Sequence, residues 1–156
     1  MKRQGRVVAI CIGPAARAAM QEVEEVMAIA GAGLQGDRYS TGDGSYNRKK
    51  GVGHRQVTLM NARFFPDSGF MFREARRNLF TEGVELMDLV GKEFDIGEAR
   101  FCGERYCDPC LVPTNLAGKD VNFREAFHDR GGLIAVILSG GLIRLGSHIV
   151  GPPKDY

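Results

Sequence analysis

The sequence lacks the features that would place it in several large classes of protein. It has no tryptophan, only 8% aromatic residues and a formal net charge of +2 over 156 residues. A charge so close to balance gives no strong positive field, which argues against nucleic acid or an anionic membrane as the main partner. The longest apolar stretch, residues 132–143, is interrupted by Ser139 and two glycines. It falls short of the roughly 20 residues needed to cross a bilayer, so we expect no membrane span.

A secretion signal is also poorly supported. The amino-terminal segment begins with basic residues and an apolar run, as signal peptides do, but Gly13 and Pro14 interrupt that run early. The run also alternates in a way that suits a first β-strand. We therefore expect a soluble, cytoplasmic protein, whose four cysteines are free thiols or metal ligands and not disulfides.

The composition that remains is that of one ordinary globular domain. With 156 residues, 44% hydrophobic and 26% charged, the chain can enclose a hydrophobic core without metal or disulfide support. The 21 glycines favour a turn-rich fold over a helical bundle. We expect a single domain over residues 1–156.

Short apolar runs bounded by turn residues recur along the chain, at a spacing of about ten residues that is typical of a barrel or sandwich. The predicted strands are residues 7–12, 23–29, 56–60, 99–106, 133–138 and 142–150. Short helices are predicted at 61–65, 72–79 and 122–128, the last capped by Asn122 with Glu125 three residues later. Residues 39–54 are predicted to form a mobile surface loop. The predicted fold class is mainly β with short helices (α+β).

Residues 31–36 match the dinucleotide pattern G-x-G-x-x-G, but the context rejects that interpretation. A Rossmann loop opens a helix whose amino end holds the pyrophosphate, whereas Gly36 leads into polar, turn-forming residues. We expect no NAD or FAD. The glycines instead predict tight backbone turns, with Asp37 and Arg38 capping them or facing a pocket.

Three cysteines, Cys102, Cys107 and Cys110, have the C-x4-C-x2-C spacing of three ligands of a plant-type iron–sulfur cluster. Such a cluster needs a fourth cysteine downstream, and Cys11 lies far upstream instead. A thiolate zinc or iron–sulfur domain therefore stays an alternative. Cys107 and Cys110 also have the spacing of a redox motif, but they lack the βαβ setting of thioredoxin-like proteins.

Cys110 is the strongest candidate for a reactive group. The strand predicted at residues 99–106 runs into a turn at Asp108 and Pro109, which would project Cys110 beside Arg105. A cationic neighbour and free backbone N–H groups favour the thiolate, which is the nucleophilic form of a cysteine. The alternative is that Cys110 is a small buried hydrophobic residue. Local chemistry leaves both possibilities open.

Several segments, in this order and covering most of the chain, resemble the MOSC domain family (molybdenum cofactor sulfurase C-terminal domain). The matching segments are Gly33-Leu34-Gln35-Gly36-Asp37-Arg38, Arg76-Arg77-Asn78-Leu79 with Gly83, Val90-Gly91, Phe94-Asp95-Ile96-Gly97, Arg105-Tyr106-Cys107-Asp108-Pro109-Cys110, and Arg130-Gly131-Gly132-Leu133 ahead of Gly140-Gly141 and Gly146. The sequence departs from the family at Arg77, where related barrels often carry Glu, and at Ser147, where they carry Asp.

The resemblance implies a distorted MOSC-type β-barrel in which Cys110 is the family's characteristic cysteine. In that role Cys110 would carry sulfur as a persulfide or ligate molybdenum, with Cys107 as a less favoured molybdenum ligand. The resemblance also implies that an anionic pterin, as in the molybdenum cofactor, or a sulfur-bearing small molecule is the ligand. Its donors would be Arg38, Arg77, Asn78 and Arg105, since a guanidinium makes paired, charge-assisted hydrogen bonds to phosphate.

A desulfurase or a molybdoenzyme would be the partner, and no pyridoxal phosphate is expected in this chain. A non-catalytic module that delivers a ligand to a partner enzyme is the alternative. Because exposed ion pairs usually contribute less than about 1 kcal/mol to folding, we expect replacement of Arg38 or Arg77 to weaken ligand binding with little loss of stability.

Overall fold

The computed structural model describes residues 2–153, with side chains from residue 4 onward. Eleven strands lie in this range. In chain order they are β1 (Lys2–Ile12), β2 (Gln21–Val23), β3 (Glu25–Ile29), β4 (Gly33–Leu34), β5 (Val57–Asn61), β6 (Leu79–Glu82), β7 (Glu93–Ile96), β8 (Ala99–Tyr106), β9 (Leu133–Ser139), β10 (Gly141–Arg144) and β11 (His148–Pro153).

Seven of these strands form a closed mixed barrel. The order of the large sheet is β11-β7-β8-β9-β5-β6-β1-β2, and pairing of β11 with β1 closes it. All neighbours are antiparallel except β5 and β6, where Leu59 pairs with Leu79 in a parallel ladder. A small sheet of order β10-β3-β4 lies beside the barrel. The prediction of a mainly β fold with short helices is confirmed.

Helices are short and lie in the connections between strands. The α-helices of the described range are α1 (Arg38–Thr41), α2 (Val112–Ala117) and α3 (Phe123–Ala126), and 3₁₀ turns occupy Ala62–Phe64, Phe72–Glu74 and Leu86–Leu89. The predicted cap of α3 is confirmed, because the Asn122 side chain accepts a hydrogen bond from the Glu125 N–H at 3.1 Å. Within residues 2–153 no helix has the length and apolarity needed to cross a membrane.

Two hydrophobic cores lie on opposite faces of the same strands. Successive residues of a strand point to opposite faces, so Leu59 and Leu79 pack into the larger core, inside the barrel. Their neighbours Met60 and Phe80 pack into a second core outside it. This outer core contains a group of aromatic rings in mutual contact, Phe65, Phe70, Phe72, Phe80, Phe123 and Phe127. Because both faces of β5 are covered, all five of its residues are buried, including the polar Thr58 and Asn61.

The strand predictions succeed for β1, β5, β8 and β9 and differ elsewhere. The run 23–29 is divided at Glu24 into the end of β2 and β3, and the run 142–150 is divided into β10 and β11 by a turn at Gly146. The helix predicted at 72–79 is only a 3₁₀ turn, because Leu79 begins β6, whose backbone pairs with β1 and β5. Strands β6 and β7, of four residues each, have too few residues to show a period-2 pattern.

Gly132 offers a test of the seam between β5 and β9. Its φ is +105°, and a Cβ at this position would lie 2.0 Å from the backbone oxygen of Leu59. Gly132→Ala should therefore lower the free energy of unfolding by at least about 3 kcal/mol, since backbone atoms must move apart. Chemical denaturation measures this change.

Gly118→Ala is the matched control for the backbone conformation. Gly118 has a φ of +64°, with open space where its Cβ would lie. Only the left-handed conformation costs energy there, about 1–2 kcal/mol. Equal losses in the two variants would contradict the close approach at Gly132.

Candidate functional site

One cavity of about 190 Å³ brings together four separate segments of the chain. Its walls come from residues 16–17 after β1, from α1 and the loop that follows it, from residues 76–77 before β6, and from residues 108–113 after β8. The side chains that line it include five arginines, one cysteine and one carboxylate: Arg17, Arg38, Arg55, Arg76, Arg77, Cys110 and Asp108. The cavity is therefore strongly basic around a single thiol.

Arg38 forms part of the framework of the cavity. It is only 5% exposed, and its guanidinium lies 3.1 Å from the fully buried carboxylate of Asp37. The same guanidinium donates to the Tyr39 hydroxyl at 3.0 Å and to the Arg76 carbonyl at 3.3 Å. Asp37 in turn accepts from the N–H groups of Gly13 and Tyr39. Asp37 caps the chain after the glycine-rich segment and Arg38 faces the cavity, as expected. The one-turn helix α1 that begins at Arg38 was not expected, since a loop was predicted directly after the glycine-rich segment.

Arg77 holds the turn that carries Cys110. Its Nε donates to the Gly131 carbonyl at 2.9 Å, and its Nη2 donates to the Asp108 carbonyl at 3.2 Å. Gly131 packs so closely on this turn that a Cβ would lie 2.0 Å from the Cys107 oxygen. The side chain is 6% exposed. Arg77 therefore fixes the end of β8 against the start of β9.

Arg76 has donor capacity that the protein does not use. Its Nη1 donates to the Ala18 carbonyl at 2.7 Å, while its buried Nη2 has no hydrogen-bond partner among the described residues. Burial, and secondly the positive charge of Arg38, lower the pKa of Arg76 to about 10. Its backbone is left-handed, with a φ of +61°, a conformation that is uncommon for residues other than glycine. Such backbone strain is concentrated at functional sites.

Arg55 lies at the end of the loop that follows α1. Its guanidinium stacks on the Tyr46 ring at 3.6 Å from the centroid, and the side chain is 8% exposed. Its buried Nε also has no partner within residues 2–153. Asn47, fully buried, donates to the carbonyls of Gly51 and Arg55 and so fixes this part of the loop.

The four cysteines are free and lie in different surroundings. Cys110 is partly exposed and lines the cavity, whereas Cys107 is 2% exposed and packs at the end of β8. Cys11 is fully buried in the outer core, and burial raises the pKa of its thiol to about 12. Cys102 is half-buried on β8. Within the described chain, no group of three or more His, Cys, Asp or Glu side chains could hold a metal ion.

Only two of the four predicted ligand donors line the cavity. Arg38 and Arg77 line the cavity with Cys110, but both are buried and hydrogen-bonded, so the expectation that their loss leaves stability unchanged is revised. Asn78 is fully buried, where it joins Thr58 of β5 to the Cys11 carbonyl of β1. Arg105 is exposed, beside Glu104 at 3.9 Å, and is not among the cavity residues.

Three arginines of the cavity were not predicted as ligand donors from the sequence, namely Arg17, Arg55 and Arg76. Arg76 stands beside the selected Arg77, but the two side chains have different partners, the Ala18 carbonyl for Arg76 and the Gly131 carbonyl for Arg77. Arg17 and Arg55 belong to connections without a regular period. Nothing in the sequence could assign their direction.

The fold matches solved structures of low sequence identity. YuaD from Bacillus subtilis superposes with a TM-score of 0.79 at 14% identity, over 99% of each chain. YiiM from Geobacillus stearothermophilus gives 0.71 at 14% identity, over 96% of this chain and 76% of that one. YiiM from Escherichia coli gives 0.62 at 18% identity, over 96% and 71%.

These neighbours support a MOSC-like fold, and at such identities the likeness concerns the fold alone. No protein-family profile matches the sequence, and no curated protein matches it.

Arg38→Ala should destabilise the protein by about 3–5 kcal/mol, because it leaves the Asp37 carboxylate buried without its cation. Arg17→Ala is the matched control. Arg17 is an exposed arginine of the same cavity, and its loss should change the free energy of unfolding by no more than about 0.5 kcal/mol. Urea denaturation of both variants measures the difference. A stable Arg38→Ala protein would contradict the structural role given to the ion pair.

Native-state alkylation should label Cys110 before the other cysteines. A limiting amount of iodoacetamide reaches partly exposed thiols first, and Cys11 and Cys107 are buried. Cys102, also partly exposed but outside the cavity, is the internal comparison. Peptide mass spectrometry gives the order of labelling. Faster labelling of Cys107 would mean that the turn presents the other thiol to the cavity.

Proposed function

We propose that this chain is a MOSC-type sulfur-handling protein in which Cys110 carries a sulfur atom inside the arginine-lined cavity. The observation that carries this proposal is that Cys110 shares one cavity with five arginines, whereas Cys11, Cys102 and Cys107 are not among its lining residues. A thiol in such a place reacts as a thiolate with electrophilic sulfur and becomes a persulfide. The positive charges of the cavity attract an anionic sulfur donor.

The arginines account for recognition of the ligand. Hydrogen bonds to a charged group contribute about 1.5–3 kcal/mol, and two buried guanidinium donors, the Arg55 Nε and the Arg76 Nη2, lack a partner among the described residues. Arg77 acts differently, because its bonds to the carbonyls of Asp108 and Gly131 hold the turn that presents Cys110. Binding and positioning are thus assigned to different arginines.

A sulfur carrier needs a donor and an acceptor. A desulfurase or a molybdoenzyme is the class of partner that fits this role, since either would exchange sulfur with a persulfide on Cys110. Cys110 is partly exposed and Arg17, another residue of the cavity lining, is exposed, so an acceptor would reach the thiol from solvent.

Molybdenum-cofactor binding is a second candidate, favoured by the MOSC-like fold and by the chemistry of the donor set. The buried, unpartnered Nε of Arg55 and Nη2 of Arg76 fit a phosphate, and the Cys110 sulfur is a soft donor for a transition metal. Arg55, Arg76 and Cys110 would therefore hold the phosphate and the metal of the cofactor, while the pterin would lie outside a cavity of about 190 Å³. When bound, the cofactor would supply a metal centre for atom transfer. The residues of this chain would bind its phosphate and fix the position of the thiolate.

Both forms of the proposal are tested on protein purified from cells that make molybdenum cofactor. Intact mass spectrometry should detect one added sulfur atom after treatment with an inorganic polysulfide, which transfers a sulfane sulfur to the thiolate while sulfide leaves. Peptide mapping should place the added sulfur on Cys110. Cys110→Ser should remove this persulfide, and any bound molybdenum, without changing the melting temperature. Cys102→Ser is the control, since Cys102 is half-buried outside the cavity. A persulfide retained in Cys110→Ser would contradict the assignment.

A further inference from the structure

We propose that the cavity accepts a small dianionic sulfur donor of the thiosulfate type, and that Arg55 and Arg76 bind its sulfonate oxygens while Cys110 takes its outer sulfur. This inference rests on the sulfur-carrying function proposed above and names the donor class of the same site. It gives the carrier a route to its persulfide from an inorganic donor.

The first support is the balance of charge at the cavity. Five guanidinium groups line it against a single carboxylate, that of Asp108, which is exposed. Arg38 has its charge compensated by Asp37, but the other four arginines have no ion pair at this cavity within the described chain. Two of these four, Arg55 and Arg77, are buried, and a buried positive charge is costly unless an anion compensates it. A dianion suits this site better than a neutral or cationic donor.

The second support is the pair of unused donors. The Arg55 side chain is more than nine-tenths buried, and its Nε lacks a partner among the described residues. The Arg76 Nη2 is also buried and has no partner within residues 2–153, while the Nη1 of the same guanidinium donates to the Ala18 carbonyl. Buried donors without a partner are rare in proteins, and a missing ligand is one established reason for them. Planar guanidinium groups bind oxyanions through paired hydrogen bonds.

The third support is size. A cavity of about 190 Å³ is smaller than the roughly 300–1,000 Å³ of pockets that enclose drug-sized ligands. Thiosulfate, in which a sulfur atom replaces one oxygen of sulfate, has only five heavy atoms. A cavity of this volume is large enough for it. The basic residues and the thiol therefore surround a space suited to an inorganic anion.

The reaction is a nucleophilic displacement at sulfur. The Cys110 thiolate, whose proton has passed to solvent, attacks the outer sulfur of thiosulfate. A new S–S bond forms on Cys110, the S–S bond of thiosulfate breaks, and sulfite leaves with its electron pair. The three negative charges of the reactants appear in the products as one on the persulfide and two on sulfite. No further oxidant or reductant is required. Arg55 and Arg76 stabilise the charge that develops on the sulfite.

The experiment compares two donors on the intact chain. Thiosulfate is mixed with the protein, and persulfide on Cys110 is followed by mass spectrometry while sulfite release is measured separately. A neutral organic trisulfide serves as the second donor, because it can load Cys110 without needing the arginines. The Cys110 thiolate attacks its central sulfur and an organic thiolate leaves, which gives a mixed trisulfide on Cys110. An added thiol then cleaves the outer S–S bond of this adduct, which releases a disulfide and leaves the persulfide on Cys110. Sulfate is added as a competitor. We expect sulfate to slow loading from thiosulfate and to leave loading from the trisulfide unchanged.

Variants separate the roles of the residues. Arg55→Gln and Arg76→Gln should each slow loading from thiosulfate by about 10²-fold, the loss seen when one donor to a developing oxyanion is removed. Arg55→Lys, which keeps the charge on the Tyr46 ring, tests the role of Arg55 if the glutamine variant does not fold. Arg144→Gln is the surface control, since Arg144 is exposed on β10 and pairs with Glu25. Its rate should equal that of the wild type.

The outcomes distinguish this inference from the function on which it rests. Loading from the trisulfide but not from thiosulfate overturns the donor class and leaves the sulfur carrier standing. Failure to load Cys110 from either donor overturns both. Loading from thiosulfate at the wild-type rate in folded Arg55 and Arg76 variants would show that these arginines do not bind the donor.

Discussion

The buried carboxylate of Asp37 fixes the positions of the segments that form the basic cavity. It accepts hydrogen bonds from Gly13 at the end of β1, from the Tyr39 N–H at the start of α1, and from Arg38. Through Arg38 the network reaches the Arg76 carbonyl, so three segments distant in sequence have their positions fixed around one charge. A buried charge is tolerated only when such partners surround it. The carboxylate compensates one arginine, and this leaves the charges of the other cavity arginines for a ligand.

The arginines of the cavity have two different roles. Some donate their hydrogen bonds to the protein, and others have donors without a partner among the described residues. Arg38 donates to the Tyr39 hydroxyl and so stabilises the wall of the cavity. Arg77 donates to the carbonyls of Gly131 and Asp108 and so stabilises the turn that carries Cys110. Arg55 and Arg76 keep buried donors unused. A site whose framework is rigid loses little conformational freedom when an anion binds, and this is the preorganisation on which electrostatic stabilisation depends.

The sequence permits prediction of the strands whose patterning is strong and of residues whose turn chemistry is local. β8, β9 and the Asn122 cap were predictable because a short apolar run or a side chain three residues from its partner determines them. β6 was not, because its place depends on pairing with β1 and β5. In the same way, Cys110 and Arg77 were selected from sequence, whereas Arg17 and Arg55 reach the cavity only through tertiary contacts between connections. Arg76 itself has a left-handed backbone, which no pattern in the sequence indicates.

Closure of the barrel also has a kinetic consequence. The ladder between β1 and β11 joins residues separated by nearly the whole described chain, with Arg6 opposite His148. Contacts between such distant residues are made only after a large loss of chain entropy, which slows folding of β-rich topologies. During synthesis on the ribosome, the edge of β1 that pairs with β11 stays unpaired until β11 has left the ribosome. In that interval its edge is open to other strands, so the nascent chain depends on early pairing of β1 with β2 and β6 to avoid misassociation.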